Sequence, residues 1–218
     1  MKYIYAPGCA LMMYKKGLAE KLKKLIEQQY GPMETLLTCC FREPKIEPNT
    51  CVITPCVTCH DRYKRLYVDD CTTIFYLNVL AESKTFPFPD YGGATMTIQD
   101  TCAARTDDMY LDTIRKILQR MNITVIEPER TRRKGVCCGQ VYYGKLPVEE
   151  AKKRIKMRAE EMPCDDVVVY CATCIHSMSM GGKKPRYILD LLFEEETNVE
   201  NNNVGLWKEK LEKFRNEH

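Results

Sequence analysis

Apolar residues fall along this chain in short runs separated by amphipathic stretches, and the order of these segments recurs. Residues 3–7 make a brief strand-like run, followed over residues 18–28 by a stretch with helical periodicity. Residues 95–99 and 110–121 repeat that order. Val52-Ile53-Thr54 and Val167-Val168-Val169-Tyr170 form a second matched pair. Each leads into a helical segment and then into an apolar stretch, 75–80 in one case and 187–192 in the other. Short strands alternating with helices predict an α/β fold of two pseudo-symmetric βαβ-type repeats packed face to face about a pseudo-twofold axis. The Pro/Gly-rich stretch 86–93 marks a boundary. It gives a first repeat at 1–92, a second at 93–197 and a C-terminal tail at 198–218. The tail starts in a polar run that includes Asn201-Asn202-Asn203, ends in a charged helix over 206–216, and reads as an appendage outside the repeat.

A chain of 218 residues buries a core without covalent staples, so its 13 cysteines are not needed to rescue a small fold. No apolar run reaches the ~20 residues of a membrane span. The first residues, with one lysine and a very short apolar stretch, do not read as a signal peptide. A cytoplasmic, reducing location is therefore expected, and an odd cysteine count agrees with it. Net charge is +3, too mild to argue for nucleic acid.

The cysteines carry the repeat. The first half holds Cys9, the pair Cys39-Cys40, then Cys56 and Cys59 in a C-x-T-C. The second holds Cys102, the pair Cys137-Cys138, then Cys171 and Cys174 in another C-x-T-C. Each C-x-T-C follows a strand and opens a helix, where exposed N–H groups and the helix dipole favour thiolate, the form that binds metal. Each half therefore predicts a five-cysteine metal site. Zinc needs four ligands, commonly from two separated C-x-x-C pairs, and adjacent cysteines diverge awkwardly around one small ion. A polynuclear iron cluster lets neighbouring sulfurs find different metal atoms. Zinc and dithiol exchange at C-x-x-C stay open as rival chemistries. Cys51, Cys71 and Cys164 lie outside the pattern and read as inert thiols.

The pattern of single Cys, Cys-Cys-Gly and C-x-x-C, present twice over residues 1–197, resembles the CCG-domain iron–sulfur proteins, among them the B subunit of heterodisulfide reductase. The resemblance implies two noncubane [4Fe-4S] clusters held by the ten motif cysteines. It also implies reduction of a disulfide made from two small thiol coenzymes. Other members serve as subunits of succinate, glycolate or lactate oxidoreductases. The second half matches with ordinary spacing, with 34 residues between Cys102 and Cys137 and 32 between Cys138 and Cys171. The first half departs from it. Phe41 stands where the second half has Gly139, and only 15 residues separate Cys40 from Cys56, with no counterpart to the helix expected over 149–161.

Three functional classes follow. One is a catalytic oxidoreductase subunit that reduces a small anionic disulfide, fed by an iron–sulfur or flavin partner subunit. The chain itself has no Gly-rich dinucleotide fingerprint and no ferredoxin-type cysteine run. The second is a non-enzymatic electron carrier or assembly subunit within a larger complex, and the third is a zinc- or cluster-stabilised binding module. Arg130, Arg132, Arg133 and Lys134 are candidates for an anionic substrate. Asp100, Arg105, Gln140, Tyr142, Tyr143 and His176 are polar candidates beside the second set. His60 and His176 follow their C-x-T-C motifs at different offsets and do not read as equivalent ligands.

Overall fold

A computed structural model describes residues 1–67, 71–199 and 203–218. Asn201 and Asn202 of the expected polar run lie outside the described residues. By compactness the chain divides into two units, one of Met1–Val79 with Lys210–His218 and one of Leu80–Glu209.

The first unit has strands β1 (Lys2–Tyr5), β2 (Glu34–Thr35), β3 (Thr50–Thr54) and β4 (Cys71–Phe75). They form one parallel sheet in the order β2-β1-β3-β4. Helices α1 (Cys9–Tyr14), α2 (Lys16–Tyr30), α3 (Val57–Leu66) and α4 (Tyr76–Glu82) connect or follow the strands. The second contains β5 (Thr95–Gln99), β6 (Thr124–Ile126), β7 (Asp166–Val169) and β8 (Lys184–Tyr187), again all parallel, in the order β6-β5-β7-β8. Its helices are α5 (Asp108–Arg120), α6 (Val148–Glu160), α7 (Ala172–Met180) and α8 (Ile188–Leu192). The α/β class and the repeat are thus both present, in two sheets of the same strand order.

Central strands of parallel sheets are covered on both faces and read as unbroken apolar runs. Thr50–Thr54 is buried at every position, as are Val167, Val168 and Val169. The amphipathic helices lay one face on these sheets. Leu18, Leu22 and Ile26 of α2 are buried, as are Leu111, Ile114 and Ile117 of α5. The expected helix over 149–161 is α6, and no α-helix stands between Cys40 and Thr50 in the first unit. The apolar stretches 75–80 and 187–192 turn out to be the end of a strand passing directly into a short helix, α4 or α8. The charged C-terminal helix is α9 (Val204–Glu217), whose Val204, Trp207 and Leu211 are buried. Its last residues, from Lys210 on, belong to the first unit. Among the described residues, no helix is long and apolar enough to cross a membrane.

Candidate metal centre

In an open parallel sheet, the crevice for a ligand lies beyond the carboxyl ends of the strands, where the strand order reverses. In the first unit that point lies between β1 and β3, and all five motif cysteines follow β1, β2 or β3. Cys9 opens α1, Cys39 and Cys40 enter a 3-10 turn (Cys40–Arg42), and Cys56 caps α3 with Cys59 in its first turn. In the second unit Cys102 begins a 3-10 turn after β5. Cys137 and Cys138 follow β6, and Cys171 caps α7 with Cys174 inside it.

Each set of five sulfurs forms a continuous row. In the first, hydrogen-bond contacts run from Cys9 to Cys39, Cys39 to Cys40, Cys40 to Cys59 and Cys59 to Cys56. The Cys40 and Cys59 sulfurs stand 3.8 Å apart. In the second, the row runs Cys102, Cys137, Cys138, Cys174, Cys171. The order of roles is the same: single cysteine, first and second of the pair, then second and first of the C-x-T-C. All thirteen cysteines are free thiols. Among the described residues, no three Cys, His, Asp or Glu side chains are gathered as ligands of one ion.

The thiols divide into donors and acceptors along each row. Hydrogen bonds from Cys39 and then Cys59 hold Cys40 well below the ordinary thiol value, while Cys59 is driven up. In the second row Cys137 is held low by Cys102 and then Cys138, with the backbone N–H groups of Gly139 and Val141 adding to the effect. Cys171 sits at about 6, held there by Cys174 and by the N–H groups of Thr173 and Cys174 at the start of α7.

The residues fit a metal group on two grounds. Five soft sulfur donors per set suit zinc or iron–sulfur chemistry. The first set also keeps a small cavity lined by Gly8, Cys9, Cys39, Cys40 and Cys59. Gly8 maintains it: its φ is 84°, and a Cβ there would lie 3.3 Å from the Cys59 sulfur and 3.7 Å from the Cys56 sulfur. Gly8→Ala is expected to cost about 1–3 kcal/mol for the left-handed backbone and to lower the first set's metal content. Thermal unfolding and metal analysis of the variant check this, and an unchanged metal content would show that the space is not used.

The other cysteines stand apart from the rows. Cys51 is buried in β3, Cys71 begins β4, and Cys164 precedes β7. Of the histidines, His60 Nε2 lies 3.3 Å from Thr73 Oγ1, and His176 stacks on Trp207 with ring centroids 4.4 Å apart. Trp207 donates its indole N–H to Thr173, the spacer residue of the second C-x-T-C, at 3.1 Å. That support from the C-terminal helix was not legible in the sequence.

Asp100 is a hub of the second site. Its carboxylate, 1% exposed, receives Arg115 through both terminal nitrogens at 3.0 and 2.9 Å, the Tyr170 hydroxyl at 2.9 Å, the Thr131 hydroxyl at 3.1 Å and the Arg132 backbone N–H at 2.7 Å. Gln99 donates to the Val136 carbonyl at 2.9 Å, and buried Arg158 donates to Gln99 at 2.7 Å and to the Arg130 carbonyl at 3.1 Å. These bonds fix the loop that delivers Cys137. The same loop holds the basic run. Arg130 pairs with Glu161, Arg132 with Asp112 and Arg133 with Asp108, while Lys134 is exposed. Arg105 donates to the Cys102 carbonyl, Gln140 and Tyr142 bound a 3-10 turn, and the Tyr143 hydroxyl meets the Met180 sulfur.

Two parallel sheets of like order, each with a row of five sulfurs at its switch point, define a cysteine-rich α/β protein with two candidate metal sites. Residues 96–179, the heart of the second unit, match the family model CCG, a cysteine-rich domain. The match supports a CCG-type cysteine-rich protein. No curated protein matches the chain. Among solved structures, the aspartate racemase of Picrophilus torridus aligns over 99% of this chain and 98% of its own at 11% identity, with a TM-score of 0.35.

Proposed function

We propose that this chain is an iron–sulfur redox protein holding a [4Fe-4S] cluster of noncubane type on each five-cysteine set. We propose further that it serves as the catalytic subunit of a heterodisulfide-reductase-like complex. The observation that carries the reading is the pair of five-sulfur rows, same in order and each at a topological switch point. When bound, such clusters supply one-electron transfer. Reduction of a small-molecule disulfide takes two electrons and two protons and yields two thiols. The electrons come from an iron–sulfur or flavin partner subunit. Cys9, Cys39, Cys40, Cys56 and Cys59 hold the first cluster, and Cys102, Cys137, Cys138, Cys171 and Cys174 the second.

The ion pairs of Arg130, Arg132 and Arg133 favour a second reading, a non-catalytic electron-transfer subunit, because a guanidinium already matched to a carboxylate is a weaker lure for an anionic substrate. Dye-coupled reduction of disulfides bearing sulfonate, phosphate or carboxylate groups separates the two.

The founding experiment is metal and acid-labile sulfide analysis of protein kept anaerobic throughout. Iron with sulfide is expected in the full chain. Cys40→Ala and Cys138→Ala are each expected to lose the iron of their own set, with Cys138→Ala the more damaging to activity. Stoichiometric zinc with no sulfide would overturn the reading.

A further inference from the structure

The first cysteine set lacks the helix that covers the second, yet it is not left bare. Phe41 explains how. In the second unit α6 lies so close to the Cys-Cys-Gly turn that a Cβ on Gly139 would fall 2.4 Å from Ile155 Cγ1. A side chain there would have to displace Ile155. In the first unit no helix occupies that position, and Phe41 projects outward, half exposed. Its ring is gripped by two guanidinium groups, Arg62 at 4.5 Å and Arg215 at 5.1 Å.

Arg215 comes from the last turn of α9, and the neighbouring Arg42 holds that turn. The Arg42 Nε donates to the Arg215 carbonyl at 3.2 Å, and its terminal nitrogen donates to the Asn216 side chain. Arg62, the other guanidinium at the ring, donates to the Cys40 carbonyl at 2.8 Å and so ties the clamp to the cysteine pair. Held this way, the Arg215 guanidinium hydrogen-bonds the Cys9 sulfur, with Cys39 and Cys40 also within its electrostatic reach. Its Nε is buried and has no hydrogen-bond partner among the described residues. The second set has a counterpart: the charge of Arg158, a buried arginine on α6, is felt by Cys138 and Cys174.

We propose that Arg215 is a positioning residue of the first cysteine set: the end of the C-terminal helix takes the place of the missing inter-motif helix, docks on the Phe41-Arg42 turn, and sets a fixed positive charge against Cys9. The inference rests on the first set holding a redox cluster. Reduction adds negative charge to such a cluster, and a guanidinium bonded to a ligand sulfur stabilises the reduced form and raises the reduction potential. On this view the change from glycine to phenylalanine is the docking feature of a rebuilt site, not a mark of decay.

Two measurements on the full chain test it. The first is a spectroscopically monitored redox titration of cluster-loaded wild type, Arg215→Gln and Arg215→Lys, with Cys40→Ala identifying the first-site signal. Arg215→Gln is expected to shift the first-site potential downward and leave the second in place, and Arg215→Lys to recover most of the shift. Loss of first-site iron in the glutamine variant alone is the same result in stronger form. An unmoved first-site potential with full iron, or equal shifts in both variants, overturns the role. The second measurement needs no metal. Hydrogen exchange of residues 210–217 in metal-free protein is expected to speed up about tenfold in Phe41→Ala, as one to two cation–π contacts are lost. Unchanged exchange overturns the docking. If wild type binds no iron under anaerobic reconstitution, the cluster reading has failed, and the exchange result still decides the docking on its own.

Discussion

Replacing Gly139 by valine is expected to cost the second unit about 4 kcal/mol or more and to strip metal from its cysteine set, because backbone strain and overpacking act together. Gly139 has φ of 101°, a region closed to a β-branched residue. A Cβ there would stand 2.4 Å from Ile155 Cγ1 and 3.1 Å from Ile155 Cα. The side-chain carbon can move, but the Cα cannot without displacing α6. Ile155 is fully buried and packs with Ala151, Tyr143 and Val204. Displacing the helix therefore loosens that cluster too. The Gly139 N–H also bonds the Cys137 sulfur, so the strain falls directly on the ligand pair. Urea unfolding of the metal-free protein gives the cost, and iron analysis gives the site effect. Gly139→Ala should show an intermediate loss, partly recovered by Ile155→Ala in the same chain, since that change removes the nearest clashing atom and leaves the φ penalty. A wild-type unfolding midpoint and full metal in Gly139→Val would refute the close-packing account.

The cysteine rows show why so much of the site was legible. Ligands carry their identity in the residue type, and a duplicated fold repeats their order, so Cys9 and Cys102, or Cys59 and Cys174, can be paired without knowing a contact. The central strands were equally plain, since Val167–Val169 is an unbroken apolar run and Thr95–Gln99 alternates polar and apolar residues over strand length. The edge strands were not. Glu34–Thr35 is two exposed polar residues, held in the sheet only by pairing with Ile4 and Tyr5. Phe41 was misleading for a different reason. The sequence places it opposite Gly139, but the 3-10 turn of the first unit begins two residues earlier in the motif, at Cys40 rather than after the glycine. The positive φ moves to Glu43, at 50°, and Phe41 is left in an ordinary conformation. Nothing local announces the roles of Trp207 and Arg215 either. Both depend on where α9 docks, which is a property of the folded units.

The hub at Asp100 leads to the other large effect. Asp100→Ala is expected to destabilise the second unit by about 3 kcal/mol at neutral pH, the low end of the range for removing one partner of a buried ion pair, because Arg115 keeps a second carboxylate, Glu127. The deletion takes from Arg115 one of its two carboxylates, leaving Glu127, and removes the partner of the Tyr170 hydroxyl beside Cys171 and of the Arg132 N–H in the loop before Cys137, while the Thr131 hydroxyl keeps Glu127 alone as acceptor. Asp100 itself is two residues from Cys102. One carboxylate thus anchors three of the segments that carry the second row of sulfurs, and its loss should lower metal retention as well as stability. The pH dependence has a definite sign. Burial opposes ionisation of Asp100, but the hydrogen bonds and charge of Arg115, with the Arg132 N–H and Tyr170 hydroxyl, outweigh it and hold the carboxyl below its ordinary value of 3.8. A carboxyl with a depressed folded-state value contributes stability that is fully present above its unfolded value and lost as pH falls through the folded one. The stability gap between wild type and Asp100→Asn should therefore be widest from about pH 5 upward and shrink on acidification below about pH 4. Urea unfolding of both proteins, metal-free, at pH 7 and at successive steps down to pH 3 measures the gap. A gap that stays constant across that range would mean that the charge on Asp100 contributes nothing and that only its shape and hydrogen-bonding capacity hold the three segments together.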